Sequence, residues 1–161
     1  MIQTHQFEPV FYKNSKVLIL GTFPSPKSRQ IGFYYSHPQN RFWPVMADLF
    51  HAEVPQSTVQ KKQFLLHHDI ALWDVLHSCE INGAEDASIR RPEPNDIGWL
   101  LRQSSIRAIF TTGKKAQQLY MKYCYPQTGK EAISLPSTSP ANCRFNYEEL
   151  KKAYSAVLEY L

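Results

Sequence analysis

Residues 21 to 43 read Gly21-Thr22-Phe23-Pro24-Ser25, then Ser28-Arg29, then Gly32-Phe33-Tyr34-Tyr35, then His37-Pro38-Gln39-Asn40-Arg41-Phe42-Trp43. Aromatic faces beside an amide and two arginines suit a flat, polar ligand close to phosphate, and a nucleobase on a nucleic acid is the obvious candidate. Phe23, Phe33 and Tyr34 can stack on such a ring, and Ser25 adds a hydroxyl. Asn40 can pair with a base edge, because an amide offers a donor and an acceptor side by side. A second stretch, Leu135-Pro136-Ser137-Thr138-Ser139-Pro140-Ala141-Asn142, carries hydroxyls and an amide suited to phosphate oxygens. Arg29, Arg41, Lys114, Lys115 and Arg144 add positive charge that fits either backbone contacts or a solvated surface. Plainer roles stand beside these. Asn40 can cap a helix beginning near Arg41, and Ser137, Thr138, Ser139 and Asn142 can form a polar turn into the last helix. Phe42 and Trp43 read as core anchors of the helix after Asn40, with Pro44 in its first turn.

Both stretches need a scaffold that brings them to one cleft. Four apolar runs read as strands: Val17 to Gly21, Ile70 to Val75, Ile106 to Thr111, and Ala132 to Leu135. Between them lie helical patterns. Ser57-Thr58-Val59-Gln60 has the form of a capping box for a helix reaching about His68. Asn95 can cap a helix carrying Ile97, Leu100 and Leu101, and Gly113 opens one with Ala116, Leu119, Tyr120 and Tyr123 on one face. Asn146, with Glu149 three positions on, caps a last helix bearing Leu150, Ala153, Tyr154, Val157, Leu158 and Leu161 at helical spacing. Strands alternating with helices predict a three-layer α/β/α fold around a mainly parallel four-stranded sheet. Such sheets bind ligands outside the carboxyl ends of their strands, where both loops fall. The segment Cys79 to Asp96 is polar, contains Pro92 and Pro94, and reads as a surface loop.

A chain of 161 residues is the size of one domain with a real core, so one domain over 1–161 is expected. Its net charge of +4 mildly favours polyanionic partners. Three separated cysteines, Cys79, Cys124 and Cys143, form no Cys-x-x-Cys pair and read as free thiols. The six histidines fall at no metal-ligand spacing, so neither a metal nor a cofactor is expected. The N-terminus has no apolar signal segment and no run is long enough to cross a bilayer, which points to a cytoplasmic protein. The chain carries no Gly-x-x-x-x-Gly-Lys-Ser/Thr loop, no Gly-x-Gly-x-x-Gly and no Gly-x-Ser-x-Gly elbow. The commonest nucleotide-binding and nucleophilic-serine readings therefore lose their motif support.

The first stretch resembles motif one of the uracil-DNA glycosylase superfamily, in the Gly-Thr-Phe-Pro-Ser…Gly-Phe-Tyr-Tyr…His-Pro-Gln-Asn-Arg-Phe-Trp form of its hypoxanthine-DNA glycosylase branch, family six. Leu135 to Asn142 resembles that branch's motif two, and the order of strands and helices is similar over nearly the whole chain. The resemblance implies a monofunctional DNA-repair enzyme that flips a deaminated base into a pocket, cuts its N-glycosidic bond and leaves an abasic site. It puts the essential asparagine at Asn40 and implies base contacts from Phe23, Ser25, Phe33 and Tyr34. Contacts to DNA would come from Ser137, Thr138, Ser139, Asn142 and Arg144. DNA with deaminated bases is the implied partner, and a monomer is expected. Phe23 departs from uracil-cleaving relatives, which commonly place a water-positioning Asn or Asp there, so a larger purine is the more natural substrate. Uracil or xanthine excision, and non-catalytic binding of a damaged base or nucleoside, stay open as alternatives.

Overall fold

The computed structural model describes residues 1–5 and 7–161. Its centre is a four-stranded parallel sheet of β2 (Val17–Gly21), β3 (Ile70–Asp74), β6 (Ala108–Thr112) and β7 (Ala132–Leu135), in the order β3-β2-β6-β7. Val17, Leu18, Ile19 and Leu20 are sealed from solvent, because β2 has strands on both edges and helices over its faces. The chain moves from β2 to one neighbour, β3, and later crosses to the other, β6. That reversal leaves a crevice beyond the ends of β2 and β6, and the expected α/β architecture thus positions the site.

Six of the helices, α2 (Phe42–Leu49), α3 (Thr58–His67), α4 (Ile97–Arg102), α5 (Lys114–Leu119), α6 (Tyr125–Thr128) and α7 (Tyr147–Tyr154), surround the sheet. α5 and α6 are joined by a π-helical turn, Tyr120–Cys124. Two expected capping boxes are present, Ser57 with Gln60 on α3 and Asn146 with Glu149 on α7. Phe42 and Trp43 are buried as expected. The ring of Phe42 stacks on Tyr35 at 4.0 Å between centroids and meets Tyr154 of α7 edge-on. The remaining short helix, α1 (Pro26–Ile31), lies inside the first functional stretch.

Two expectations about the middle of the chain need correction. The segment after β3 is not an irregular loop: β4 (Leu76–Glu80) and β5 (Arg90–Pro94) pair antiparallel, and β1 (Ile2–Thr4) adds to β4 in a second, three-stranded sheet. Its prolines disguise it, yet they sit on an outer strand, where a missing N–H is tolerated. Asn95 does not cap α4. It is buried, its Nδ2 donating to the carbonyls of Asp74 at 2.9 Å and Leu76 at 3.2 Å, while Asp96 takes the cap by accepting the Trp99 N–H at 3.0 Å. Among the described residues no helix is long and apolar enough to cross a membrane.

Candidate active site

Beyond the carboxyl ends of the parallel strands lies a cavity of about 680 Å3. Gly21 to Ser25 line it from the end of β2, Asp74 from β3, Thr112 from β6, and Ser137 to Asn142 from the loop after β7, with Asn40 between them. The two stretches singled out by residue type therefore share one site. The hairpin tip between β4 and β5 supplies a further wall through Ile81 and Asp86.

The first stretch is shaped by its own hydrogen bonds. Ser25 lines the cavity and caps α1, its Oγ accepting the Ser28 N–H at 3.2 Å, and Pro26 begins the helix where its missing N–H is harmless. Gly32 closes α1 at φ 89°, a left-handed turn that glycine makes without strain. Ser28 Oγ then accepts the Ser36 N–H at 3.0 Å, folding the aromatic segment back over the helix. Phe23 is half-buried, with the Arg29 guanidinium 5.5 Å from its ring centre. Arg29 itself donates to the Pro24 carbonyl at 2.9 Å, so it braces this loop.

Asn40 stands just before α2, and its Oδ1 accepts the Phe42 N–H at 2.9 Å. Arg41, not Asn40, occupies the N-cap position and makes no side-chain cap bond; Asn40 sits one residue earlier, where its bond to the first helical N–H fixes the amide's orientation at the cavity and leaves Nδ2 with no protein partner among the described residues. Arg41, expected at a phosphate or in solvent, instead joins the two loops. Its guanidinium donates to the carbonyls of Phe145 at 2.7 Å, Asn142 at 2.9 Å and Ser139 at 3.2 Å, while its main-chain N–H donates to Thr138 at 3.1 Å.

The second loop is a chain of small polar turns. Ser137 Oγ accepts the Ser139 N–H, Ser139 Oγ accepts the Ala141 N–H, and Asn142 Nδ2 donates to the Ser137 carbonyl. Thr138 is only 1% exposed, which directs its hydroxyl inward, against the expectation of a phosphate contact. Below the loop, the buried Tyr154 hydroxyl donates to the Pro136 carbonyl at 2.6 Å, and burial raises its ionisation well above the ordinary value. Arg144 is exposed and outside the cavity lining, and neither it nor Lys114 nor Lys115 has an ion-pair partner among the described residues.

Two aromatic expectations fare differently. Phe33 is buried, stacks with Trp43 at 6.1 Å and lines a separate cavity of about 340 Å3, so it does not reach the site. Tyr34 borders the site, but it is 2% exposed and its hydroxyl donates to the Glu8 carbonyl, making it a wall rather than a stacking plate. The next ring, Tyr35, takes the position that spacing alone did not assign. It lines the cavity at φ 53°, an uncommon conformation for a bulky residue, and its hydroxyl bonds with Thr112 Oγ1 at 3.1 Å. Burial and the nearby Asp74 carboxylate raise its ionisation far above the ordinary phenol range.

Sequence reasoning also missed a buried carboxylate. Asp74 ends β3 at 4% exposure, with its Oδ2 2.7 Å from His5 Nε2. A charge closing an otherwise apolar strand was a usable signal; its partner 69 residues away was not. Gly21 makes room for the carboxylate, since a Cβ there would lie 2.5 Å from Asp74 Oδ1.

A cleft at the switch point of a parallel sheet, bordered by a helix-pinned amide and a hydroxyl-rich loop, is built to hold a planar polar ligand. Residues 9–161 match the Uracil DNA glycosylase superfamily, and the chain belongs to that family. It is 33% identical over 142 residues to a protein of Methanosarcina acetivorans named hypoxanthine DNA glycosylase, covering 87% of this chain and 89% of that one. A Methanosarcina barkeri protein of the same name is 30% identical over 140 residues, covering 86% and 87%. A solution NMR structure from Methanosarcina acetivorans, described there as a candidate uracil DNA glycosylase, superposes with a TM-score of 0.80 at 31% identity, covering 98% of this chain and 99% of that one.

Proposed function

We propose that this protein is a monofunctional DNA N-glycosylase that extrudes hypoxanthine from DNA and hydrolyses its N-glycosidic bond, acting as a single-domain monomer in the cytoplasm. The observation that carries the reading is Asn40, an amide held by the first N–H of α2 with its NH2 group unpartnered among the described residues at the cavity that both loops share. The likeness to two proteins named hypoxanthine DNA glycosylase supports the choice of base.

A base must leave the stack to be reached, and a mispaired deaminated base costs less of the few kcal/mol that extrusion requires. Inside the cavity, Phe23 offers its ring as a stacking surface steadied by Arg29. Neither loop carries a carboxylate, and Asp74, the buried one at the cavity, is hydrogen-bonded to His5, so the chemistry favoured is dissociative: the glycosidic bond stretches, the sugar gains oxocarbenium character, and negative charge collects on the departing base. An N–H donor already aimed at that charge lowers the barrier without reorganising. Asn40 Nδ2 is that donor, and water then completes the hydrolysis at the sugar. Ser137, Ser139 and Asn142 hold the second loop in a shape whose rim meets the DNA backbone, with Lys114, Lys115 and Arg144 providing salt-sensitive attraction.

The test is a labelled duplex carrying one inosine, with uracil and xanthine duplexes in parallel, treated with alkali after incubation. A break at inosine, stronger than at uracil, is expected. No break at any modified base leaves a non-catalytic binder and overturns the enzyme.

A further inference from the structure

Building on that reading, we propose that Asp74 is the specificity-determining acceptor for a protonated ring nitrogen of the extruded base, and that His5 is the positioning residue that holds it in the accepting state. Asp74 lines the cavity from the end of β3, and its main-chain carbonyl is tied down by Asn95. Its Oδ2 is taken by His5 Nε2 at 2.7 Å. The tautomer follows from the rest of the network: His5 Nδ1 accepts the Phe7 N–H at 3.2 Å, so the ring proton sits on Nε2 and is donated to Asp74. The imidazole cannot turn away. Its main-chain N–H donates to the His77 carbonyl at 2.6 Å, and the rings of Phe7, Tyr34 and Phe23 surround it at 5.3, 5.9 and 6.0 Å.

Asp74 Oδ1 remains. It has no hydrogen-bond partner among the described residues, its residue lines the cavity, and the bare Gly21 beside it puts no Cβ against it. An ionised carboxylate only accepts. Adenine presents a lone pair at N1, which this oxygen repels. Deamination turns that edge into a lactam, with N1–H beside a carbonyl, and the same oxygen then gains a charge-assisted hydrogen bond. The class selected is a base with a ring N–H next to a carbonyl, hypoxanthine first, with xanthine and uracil sharing the feature. Guanine shares it too, and is protected by the greater cost of extruding it from an intact pair.

The network makes an unusual forecast for Asp74→Asn. His5 Nε2–H requires an acceptor, so the new amide must turn its oxygen to His5 and its NH2 to the cavity, presenting a donor where an acceptor stood. Excision is measured as kcat/KM on duplexes with hypoxanthine or adenine in the same mispair. The preference for hypoxanthine should fall by about 10- to 100-fold in Asp74→Asn, the cost of one buried mismatched donor. In the double variant His5→Leu/Asp74→Asn the amide is free to turn back, and part of the preference should return. His5→Leu alone should lose preference, and His5→Gln, whose amide can still donate to Asp74, should recover most of it. Each variant's melting temperature is recorded, and if Asp74→Asn does not fold, the His5→Gln and His5→Leu pair reads the same point. An unchanged preference in folded Asp74→Asn, or equal behaviour of His5→Gln and His5→Leu, overturns the proposal. Wild-type protein that cuts hypoxanthine while the variants keep its preference sinks only this pair, whereas wild-type protein that cuts no modified base sinks the function itself.

Discussion

Replacing Arg41 with Met should loosen the second loop and reduce excision together, because one side chain holds both. The guanidinium donates to three carbonyls, those of Ser139, Asn142 and Phe145, at 2.7 to 3.2 Å. A hydrogen bond from a charged donor contributes roughly 1.5–3 kcal/mol. Ser139, Asn142 and Phe145 are half-buried, so water replaces part of what the guanidinium gave, and the three bonds act as one unit rather than a sum. Nε of Arg41 is buried without a partner among the described residues, which offsets a little more. The net loss should be about 2–4 kcal/mol, lowering Tm by about 5–15 °C in a chain of this size. Lysine keeps the charge but is a point donor that cannot span three carbonyls, so Arg41→Lys should recover less than half. Excision of inosine, measured well below Tm under single-turnover conditions, should fall by about 10- to 100-fold, since a displaced rim misplaces the base beside Asn40. A variant that melts with the wild type and keeps its rate would refute the reasoning.

Gly21→Ala would put a methyl 2.5 Å from Asp74 Oδ1 and 3.2 Å from the Tyr35 hydroxyl. It should cost about 1–3 kcal/mol of stability and lower excision disproportionately; wild-type excision would mean that the carboxylate is not needed where it stands. Stability should also fall in alkali. Burial raises Cys79 from 9.0 to about 11 and Cys124 from 9.0 to about 12, and raises Tyr34, Tyr35 and Tyr154 above 10.0. The folded chain then keeps protons that the unfolded chain releases. This contribution is complete below pH 9.0 and declines as the pH climbs through the folded values, so Tm should hold to that point and then drop. Cys79→Ala and Cys124→Ala should each soften the drop, and a Tm that rises above pH 9.0 would contradict the assignment.

The parallel sheet was legible because β2, β3 and β6 are buried on both faces and read as short, almost unbroken apolar runs. The caps on α3 and α7 were legible because each is a local pattern closing on itself. The second sheet was hidden. β5 reads Arg90-Arg91-Pro92-Glu93-Pro94, and its pairing with β4 depends on register shifts and on neighbours distant in the chain. In the site, Phe23 was singled out by residue type, and Asn40 and Ser25 chiefly by the resemblance to the family's first motif; all three line the cavity. Phe33 could not be told from Tyr35, since two rings two positions apart are sorted only by the fold that turns one inward and the other to the cavity. Arg41 read as either a phosphate contact or a solvated cation, because three carbonyl partners about a hundred residues away leave no local trace. His5 and Asp74 escaped for the same reason.

Single-turnover excision of hypoxanthine by Asn40→Ala, compared with the wild type at equal bound fraction, bears most directly on the account. The variant should bind DNA nearly as well as the wild type, lose about 0.5–1.5 kcal/mol of stability from the missing bond to the Phe42 N–H, and excise about 100- to 1000-fold more slowly. A variant that melts far lower yet keeps its turnover would show that Asn40 serves α2 alone, and that the chemistry lies elsewhere in the cavity.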